Sequence, residues 1–183
     1  MSFCIHFLFF LSDSTCSMIW LSYFLGRLEN NLRKFLVVMD NTPEFLNALR
    51  FAAIRASKTG GAVEILGIIG PEEFQHWLGV GETMRAEARE RIEAHFEVFS
   101  KWMIEKEGIE PELVIREGER LTEILAQIKD DPEVGILVLG ANPSGDGPGP
   151  LVSQLVGRQG GVLPVPVTIV PGSMTKEAID AVS

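Results

Sequence analysis

The feature that most constrains this fold is a regular alternation of short apolar runs with longer helical patterns, which begins near residue 33. Short continuous runs rich in β-branched residues are typical of strands buried on both faces of a parallel sheet. Strands separated by helices predict right-handed βαβ units, and therefore an α/β fold with a doubly wound parallel sheet and helices on both faces. The five predicted strands are 34–40, 63–69, 111–116, 135–139 and 166–170.

Apolar residues three and four positions apart predict the helices between these strands. The first begins at the Thr-Pro-Glu sequence of residues 42–44, an N-cap, an N1 proline and a first-turn acid. The longest runs from about residue 82 to 107. Two shorter helices follow the third and fourth strands. Residues 173–183 lack an apolar pattern and are predicted to be a mobile C-terminal tail. The apolar stripe of the longest helix consists of residues 84, 88, 92, 96, 99 and 103.

Residues 1–32 form an apolar N-terminal extension of doubtful native status, ahead of a domain that spans 33–172. Residues 1–26 hold 17 apolar residues and a single charge, Asp13. Three interpretations stay open: a signal peptide or membrane anchor, an apolar segment that docks on a partner, or upstream sequence ahead of an internal start at Met18. Against an anchor, no Lys or Arg precedes the apolar run, and Asp13 divides it into pieces shorter than the roughly 20 residues of a spanning helix.

Charge and motif content exclude several functions. Lys and Arg number 16 against 25 Asp and Glu, a net charge of −9, which argues against a nucleic-acid binder and, unless the N-terminal extension is native, against a membrane protein. Two cysteines cannot form a disulfide-rich scaffold, and no C-x-x-C or H-E-x-x-H motif indicates a metal site. Neither His76 nor His95 has a convergent catalytic partner in the sequence, so the case for an enzyme is weak.

Two loops are the candidate sites, because ligands of doubly wound sheets bind beyond the carboxyl ends of the strands. In the first loop, Asp40 is either a hydrogen-bond acceptor for a ligand or a residue that stabilises the turn. The second loop, 140–150, is rich in glycine, which allows a backbone to cradle phosphate. It is equally a flexible connector, since Pro143, Pro148 and Pro150 donate no N–H and no P-loop lysine is present.

The order of these features resembles the universal stress protein family over about 140 of the 183 residues. The family implies a five-stranded parallel sheet of order 3-2-1-4-5 in a Rossmann-like, nucleotide-binding α-hydrolase-like fold. It also implies a small cytoplasmic protein of the stress response that forms a homodimer, often through its last strand. The resemblance is carried by Asp40 and Thr42, Ala48-Leu49-x-x-Ala52, Gly118 followed by Ile124, the strand 136–140, Val152-Ser153-Gln154 and the closing run 165–170.

The resemblance also implies a site for an adenine nucleotide, with ATP or AMP as the candidate ligand and no metal. One branch of the family binds ATP through G-x-x-G, nine residues, then G-[ST]; here Pro143 stands at the second glycine, so binding is expected to be weak or altered. A genuine ATP-binding member and a nucleotide-dependent enzyme of a related α/β superfamily remain the alternatives. The implied nucleotide-binding residues are Asp40, Asn41, Thr42, Ile68, Gly140, Ala141, Gly149, Val152 and Ser153.

Overall fold

The computed structural model describes residues 33–40, 42–71, 81–144, 147–158 and 163–183. Five strands and five helices alternate along these residues. The strands are β1 (Lys34–Val38), β2 (Ala62–Ile69), β3 (Glu112–Glu117), β4 (Val134–Ala141) and β5 (Val167–Pro171). The helices are α1 (Pro43–Thr59), α2 (Gly81–Glu107), α3 (Arg120–Asp130), α4 (Pro150–Arg158) and α5 (Lys176–Val182).

The strands form one parallel sheet of order β3-β2-β1-β4-β5. The central strand β1 pairs with β2 on one side and with β4 on the other, so that Phe35 lies opposite Val63 and Ile136. The predicted fold class and strand order are therefore confirmed. Because all strands run the same way, the turns that follow β1 and β4 lie at the same edge of the sheet.

The core has two layers, one on each face of the sheet. Phe35, Val37 and Met39 belong to one apolar cluster, and the alternate residues Leu36 and Val38 belong to the other. Helices α1 and α2 cover the first face, and α3 and α4 cover the second. Each fully buried side chain of this size contributes about 2 kcal/mol of burial free energy. The predicted packing of helices on both faces is confirmed.

Local sequence explains where α1 begins and ends. Pro43 occupies the first helical position, where its missing N–H costs nothing, and Gly60 ends the helix in the left-handed conformation at φ 67°. The residues that α1 turns toward the sheet are mostly small, which lets the helix backbone approach the strands closely. The buried residues of α1 are Phe45, Ala48, Leu49, Ala52, Ala53, Ile54 and Ala56.

The predicted apolar stripe of the long helix α2 is also confirmed. Ala88 and Met103 are fully buried, and Ile92, Phe96 and Phe99 pack against the same core as half-buried residues. The Phe99 ring meets Phe45 of α1 edge to face, with ring centroids 5.3 Å apart. The stripe thus attaches α2 to both the sheet and α1.

The prediction of a mobile C-terminal tail is wrong, because residues 176–182 form helix α5. Its Ile179 side chain is completely buried. The Arg50 guanidinium donates two hydrogen bonds of 2.7 Å to the Asp180 carboxylate, which holds α5 against α1. The Asn47 side chain of α1 also donates to backbone carbonyls of the connecting segment. The single buried residue Ile179 leaves no periodic pattern, and Arg50, the partner of Asp180, lies 130 residues away in the sequence.

Several predictions concern residues outside the described ranges. They include the N-terminal extension 1–32, Asn41, and the loop that contains His76. Over the part of the chain that the structure does describe, no helix is long and apolar enough to cross a membrane.

Candidate functional site

The turns that follow β1 and β4 enclose one small cavity of about 90 Å³ at the carboxyl edge of the sheet. Asp40 and Thr42 contribute from the first turn, and Gly140 and Gly149 contribute from the second. Val152 of α4 also lines it. The structure therefore brings five of the nine predicted binding residues together. That they bind a nucleotide stays a prediction.

The other predicted residues do not line this cavity. Ile68 is buried in the apolar cluster that contains Val38, Leu139 and Val152, and so lies behind the cavity wall. Ala141 ends β4, where its carbonyl accepts a hydrogen bond from the Gly172 N–H at 2.8 Å. Ser153 is exposed on α4. Asn41 is outside the described residues.

Asp40 stabilises the first turn through one carboxylate oxygen. Its Oδ1 accepts hydrogen bonds from the Thr42 N–H at 3.0 Å and from the Thr42 hydroxyl at 2.6 Å. Asn142 does the same after β4, where its Oδ1 accepts from the Ser144 N–H at 2.9 Å and the Ser144 hydroxyl at 2.7 Å. Of the two interpretations of Asp40, stabilisation of the turn therefore describes its Oδ1 atom. Its Oδ2 has no hydrogen-bond partner among the described residues, and stays available to a ligand.

Gly140 has a structural explanation that involves no phosphate. A Cβ at this position would lie 2.6 Å from the carbonyl carbon of Glu44 and in contact with the carbonyl oxygen. Only glycine lets the first turn of α1 cross the end of β4 at this distance. Neither of the two interpretations of this loop, a phosphate cradle or a flexible connector, anticipated that Gly140 is needed for this close approach of α1.

The second turn alternates glycine and proline before α4. Gly147 and Gly149 have positive φ angles of 104° and 97°, which favour glycine. The Pro148 carbonyl accepts a hydrogen bond from the Asn142 N–H at 3.2 Å, which closes the turn onto the end of β4. Pro150 then takes the first position of α4 and donates no hydrogen bond.

Few backbone donors therefore remain in this turn for an anion. The first helical N–H with a partner is that of Ser153, which donates to the Gly149 carbonyl at 3.0 Å. Leu151 and Val152, both of which line the cavity, carry the N–H groups of the first turn of α4 that have no partner within the helix. A phosphate here would meet these two helical amides and the Gly149 N–H instead of a continuous glycine cradle.

Arg120 also lines the cavity, and sequence reasoning missed it. It is the first residue of α3, after the N-cap Glu119, whose carboxylate accepts from the N–H groups of Leu121 and Thr122. These hydrogen bonds, chiefly those with Thr122, hold the pKa of Glu119 below its usual range. Arg120 is exposed and has no hydrogen-bond or ion-pair partner among the described residues. No spacing rule in the sequence marks this arginine as part of the site.

The charges around the cavity are few. Among the described lining residues, Arg120 is the one basic side chain, and Asp40 and Glu44 are the acidic ones. A wider cleft of about 370 Å³ adjoins it and shares Thr42 and Glu44 in its wall. Across the described residues, no group of three or more His, Cys, Asp or Glu side chains is placed to hold a metal ion.

A doubly wound sheet with a cavity between the ends of β1 and β4 defines an α/β protein whose candidate ligand site lies at the point where the winding reverses. The sequence model of the universal stress protein family matches residues 31–171. The chain therefore belongs to the universal stress protein family.

Solved structures of universal stress proteins share this fold. The chain is similar to universal stress protein UspA from Lactobacillus plantarum, with 18% identity and a TM-score of 0.61 over 76% of this chain and 98% of that one. It is also similar to a universal stress protein in complex with cAMP, with 16% identity and a TM-score of 0.54 over 78% and 99%. A universal stress protein from Archaeoglobus fulgidus in complex with dAMP has 19% identity and a TM-score of 0.52 over 76% and 98%. Comparison with curated protein sequences gives no match.

Proposed function

We propose that this protein is a binding module of the stress response that holds an adenine nucleotide at the cavity between Asp40 and Gly140. The observation that carries the proposal is the convergence of the two turns after β1 and β4 on one cavity, with the first turn of α4 in its wall. The complexes of similar proteins with cAMP and dAMP support adenine as the base. The domain that performs this function is proposed to span residues 33–172.

Binding is proposed to be weaker than in a member with the full glycine motif. Gly140 is required by helix packing, and Pro148 and Pro150 offer no N–H to a phosphate. The described lining holds a single cation, Arg120. These observations favour a weak or altered nucleotide site over the alternative of a genuine ATP-binding protein.

The proposal is for binding and not for catalysis. The titratable side chains that line the described part of the cavity are Asp40, Glu44 and Arg120. A nucleophile held beside a general base is the usual sign of covalent catalysis, and these three groups do not supply one. The alternative of a nucleotide-dependent enzyme has no observation in its favour.

We also propose that the protein is a cytoplasmic homodimer. Among the described residues, strand β5 is at one edge of the sheet and pairs with β4 alone, which leaves its other side able to accept a strand. Ile169 near its centre is 39% exposed, an apolar group that a second copy would cover. Sedimentation equilibrium tests this: a mass of twice 20.2 kDa is expected. A single-chain mass at micromolar concentration would contradict the dimer.

Isothermal titration of the full chain with AMP and ATP tests nucleotide binding, and Asp40→Asn tests the site. The asparagine keeps an oxygen that accepts from Thr42, but its other atom becomes an NH₂ donor that cannot accept from a ribose hydroxyl. We expect at least tenfold weaker binding, about 1.4 kcal/mol, with the unfolding free energy near that of the wild type. Wild-type protein that binds neither nucleotide would refute the proposal. Unchanged nucleotide affinity in Asp40→Asn would show that the nucleotide binds at another place.

A further inference from the structure

We propose that Arg120 binds the phosphate of the ligand in this cavity, and that the cavity selects a nucleotide with one phosphate over one with three. The inference rests on the proposed function, since it names the part of the ligand that one residue of that site recognises. It concerns an arginine that neither the sequence motif nor the glycine-rich turn singles out.

The guanidinium of Arg120 is available to an anion. The residue lines the cavity from the start of α3 and is exposed. It has no hydrogen-bond or ion-pair partner among the described residues, so a ligand would displace no existing ion pair. A planar guanidinium can donate two parallel hydrogen bonds to one phosphate, which makes arginine a preferred residue for phosphate recognition.

The backbone around the cavity offers few N–H groups that could bind a phosphate in place of Arg120. The Asn142 N–H is bonded to the Pro148 carbonyl, and the Ser153 N–H is bonded to the Gly149 carbonyl. Pro150 has no N–H at the position where α4 begins. The N–H of Gly149 and the first free amides of α4, at Leu151 and Val152, remain in the described lining, and all three are neutral donors. Among the described lining residues, Arg120 is the one that can supply positive charge to a phosphate.

The charge of the lining limits the number of phosphates. The acidic side chains of Asp40 and Glu44 outnumber the single arginine in the described lining. Every further phosphate would add negative charge beside these carboxylates without gaining another cation.

Titration calorimetry with adenosine, AMP and ATP at constant ionic strength tests this on the full chain. We expect the wild type to bind AMP at least tenfold more tightly than either adenosine or ATP. Arg120→Gln should weaken AMP binding at least tenfold and leave adenosine binding unchanged. Arg120→Lys keeps the charge without the planar fork, so its affinity for AMP should lie between those of the wild type and Arg120→Gln. Lys129→Gln, which removes an exposed cation at the other end of α3, is the matched control and should bind as the wild type does.

The outcomes separate the two proposals. AMP affinity that is unchanged in Arg120→Gln would overturn the role of Arg120 and leave nucleotide binding intact. ATP bound as tightly as AMP by the wild type would overturn the selection for one phosphate. A wild-type protein that binds none of adenosine, AMP and ATP would overturn the proposed function, and this inference with it. Urea unfolding of each variant without ligand tests that the substitutions act on binding, since Arg120 makes no hydrogen bond or ion pair with the described residues.

Discussion

The Nζ of Lys34 lies 3.7 Å from Oε2 of Glu64, a carboxylate whose side chain is only 1% exposed. Glu64 Oε1 also accepts a hydrogen bond of 2.8 Å from the Gln127 amide. This pair lies near the start of β1, away from the candidate site at the carboxyl edge of the sheet. Lys34 is thus a structural cation. The other carboxylates within 4 Å of its ammonium belong to Glu112, Asp131 and Glu133.

Lys34→Met should therefore destabilise the protein strongly. Burial alone would lower the pKa of the Lys34 ammonium, but the hydrogen bonds and charges of Glu112 and Asp131 outweigh it and hold that pKa above its usual value. Without this cation Glu64 is buried beside other carboxylates with no charge to balance it. We expect a loss of about 3 kcal/mol in urea unfolding at pH 7. Lys129→Met, an exposed control, should change little, and an equally small effect in Lys34→Met would contradict the structural role.

Glu64→Gln should change how stability depends on pH. Burial is the largest influence on the Glu64 carboxyl and raises its pKa above the ordinary 4.5, although the hydrogen bond from Gln127 opposes this. The folded protein therefore holds this proton more tightly than the unfolded chain does. The stabilisation from Glu64 is present below pH 4.5 and is lost as pH rises through the raised pKa.

Urea unfolding across pH 4.5 to 7 measures this effect, since glutamine does not titrate and still accepts from Gln127. The unfolding free energy of Glu64→Gln should rise relative to that of the wild type over this range. Glu110→Gln, at an exposed position, is the control and should follow the wild type. A difference between Glu64→Gln and wild type that stays constant with pH would show that the carboxyl does not titrate as inferred.

Ile179→Ala tests whether α5 is part of the folded core. The Ile179 side chain is fully buried, so its truncation should cost about 3 kcal/mol of unfolding free energy. Val182 of the same helix is 58% exposed, and Val182→Ala should stay within about 0.5 kcal/mol of the wild type. Equal and small effects of the two substitutions would mean that α5 does not contribute to the core.

Gly140→Ala distinguishes helix packing from phosphate binding as the reason for glycine at this position. The added methyl group would meet the Glu44 backbone, which cannot rotate away as a side chain could, so we expect a loss of about 1–3 kcal/mol without any ligand. Gly157 of α4 has open space around it, and Gly157→Ala should stabilise the helix by about 0.5 kcal/mol. If Gly140→Ala unfolds as the wild type does and loses only nucleotide affinity, the packing explanation is wrong.

Residues that follow a repeated pattern were predictable, and residues that depend on one distant contact were not. The strands and the stripe of α2 repeat burial at fixed intervals, so their positions follow from the sequence. Asp40 and Gly140 were predictable because parallel strands place their ends at one edge. Ile179 is a single buried residue with no periodic neighbours. Arg120 follows β3, an edge strand of the described sheet, and reaches the cavity beside β1 and β4 through the turn into α3, which spacing along the chain does not indicate.

The alternation of glycine and proline from Gly147 to Pro150 has a consequence for recognition. Each proline ring holds its own φ near −65°, and positive φ angles set the glycines on either side of Pro148. Because the two prolines are already restricted, this rim of the cavity has less backbone entropy to lose on binding than an all-glycine turn would have. Such preorganisation favours a ligand whose shape already matches the rim over a ligand that binds only when the rim changes its conformation.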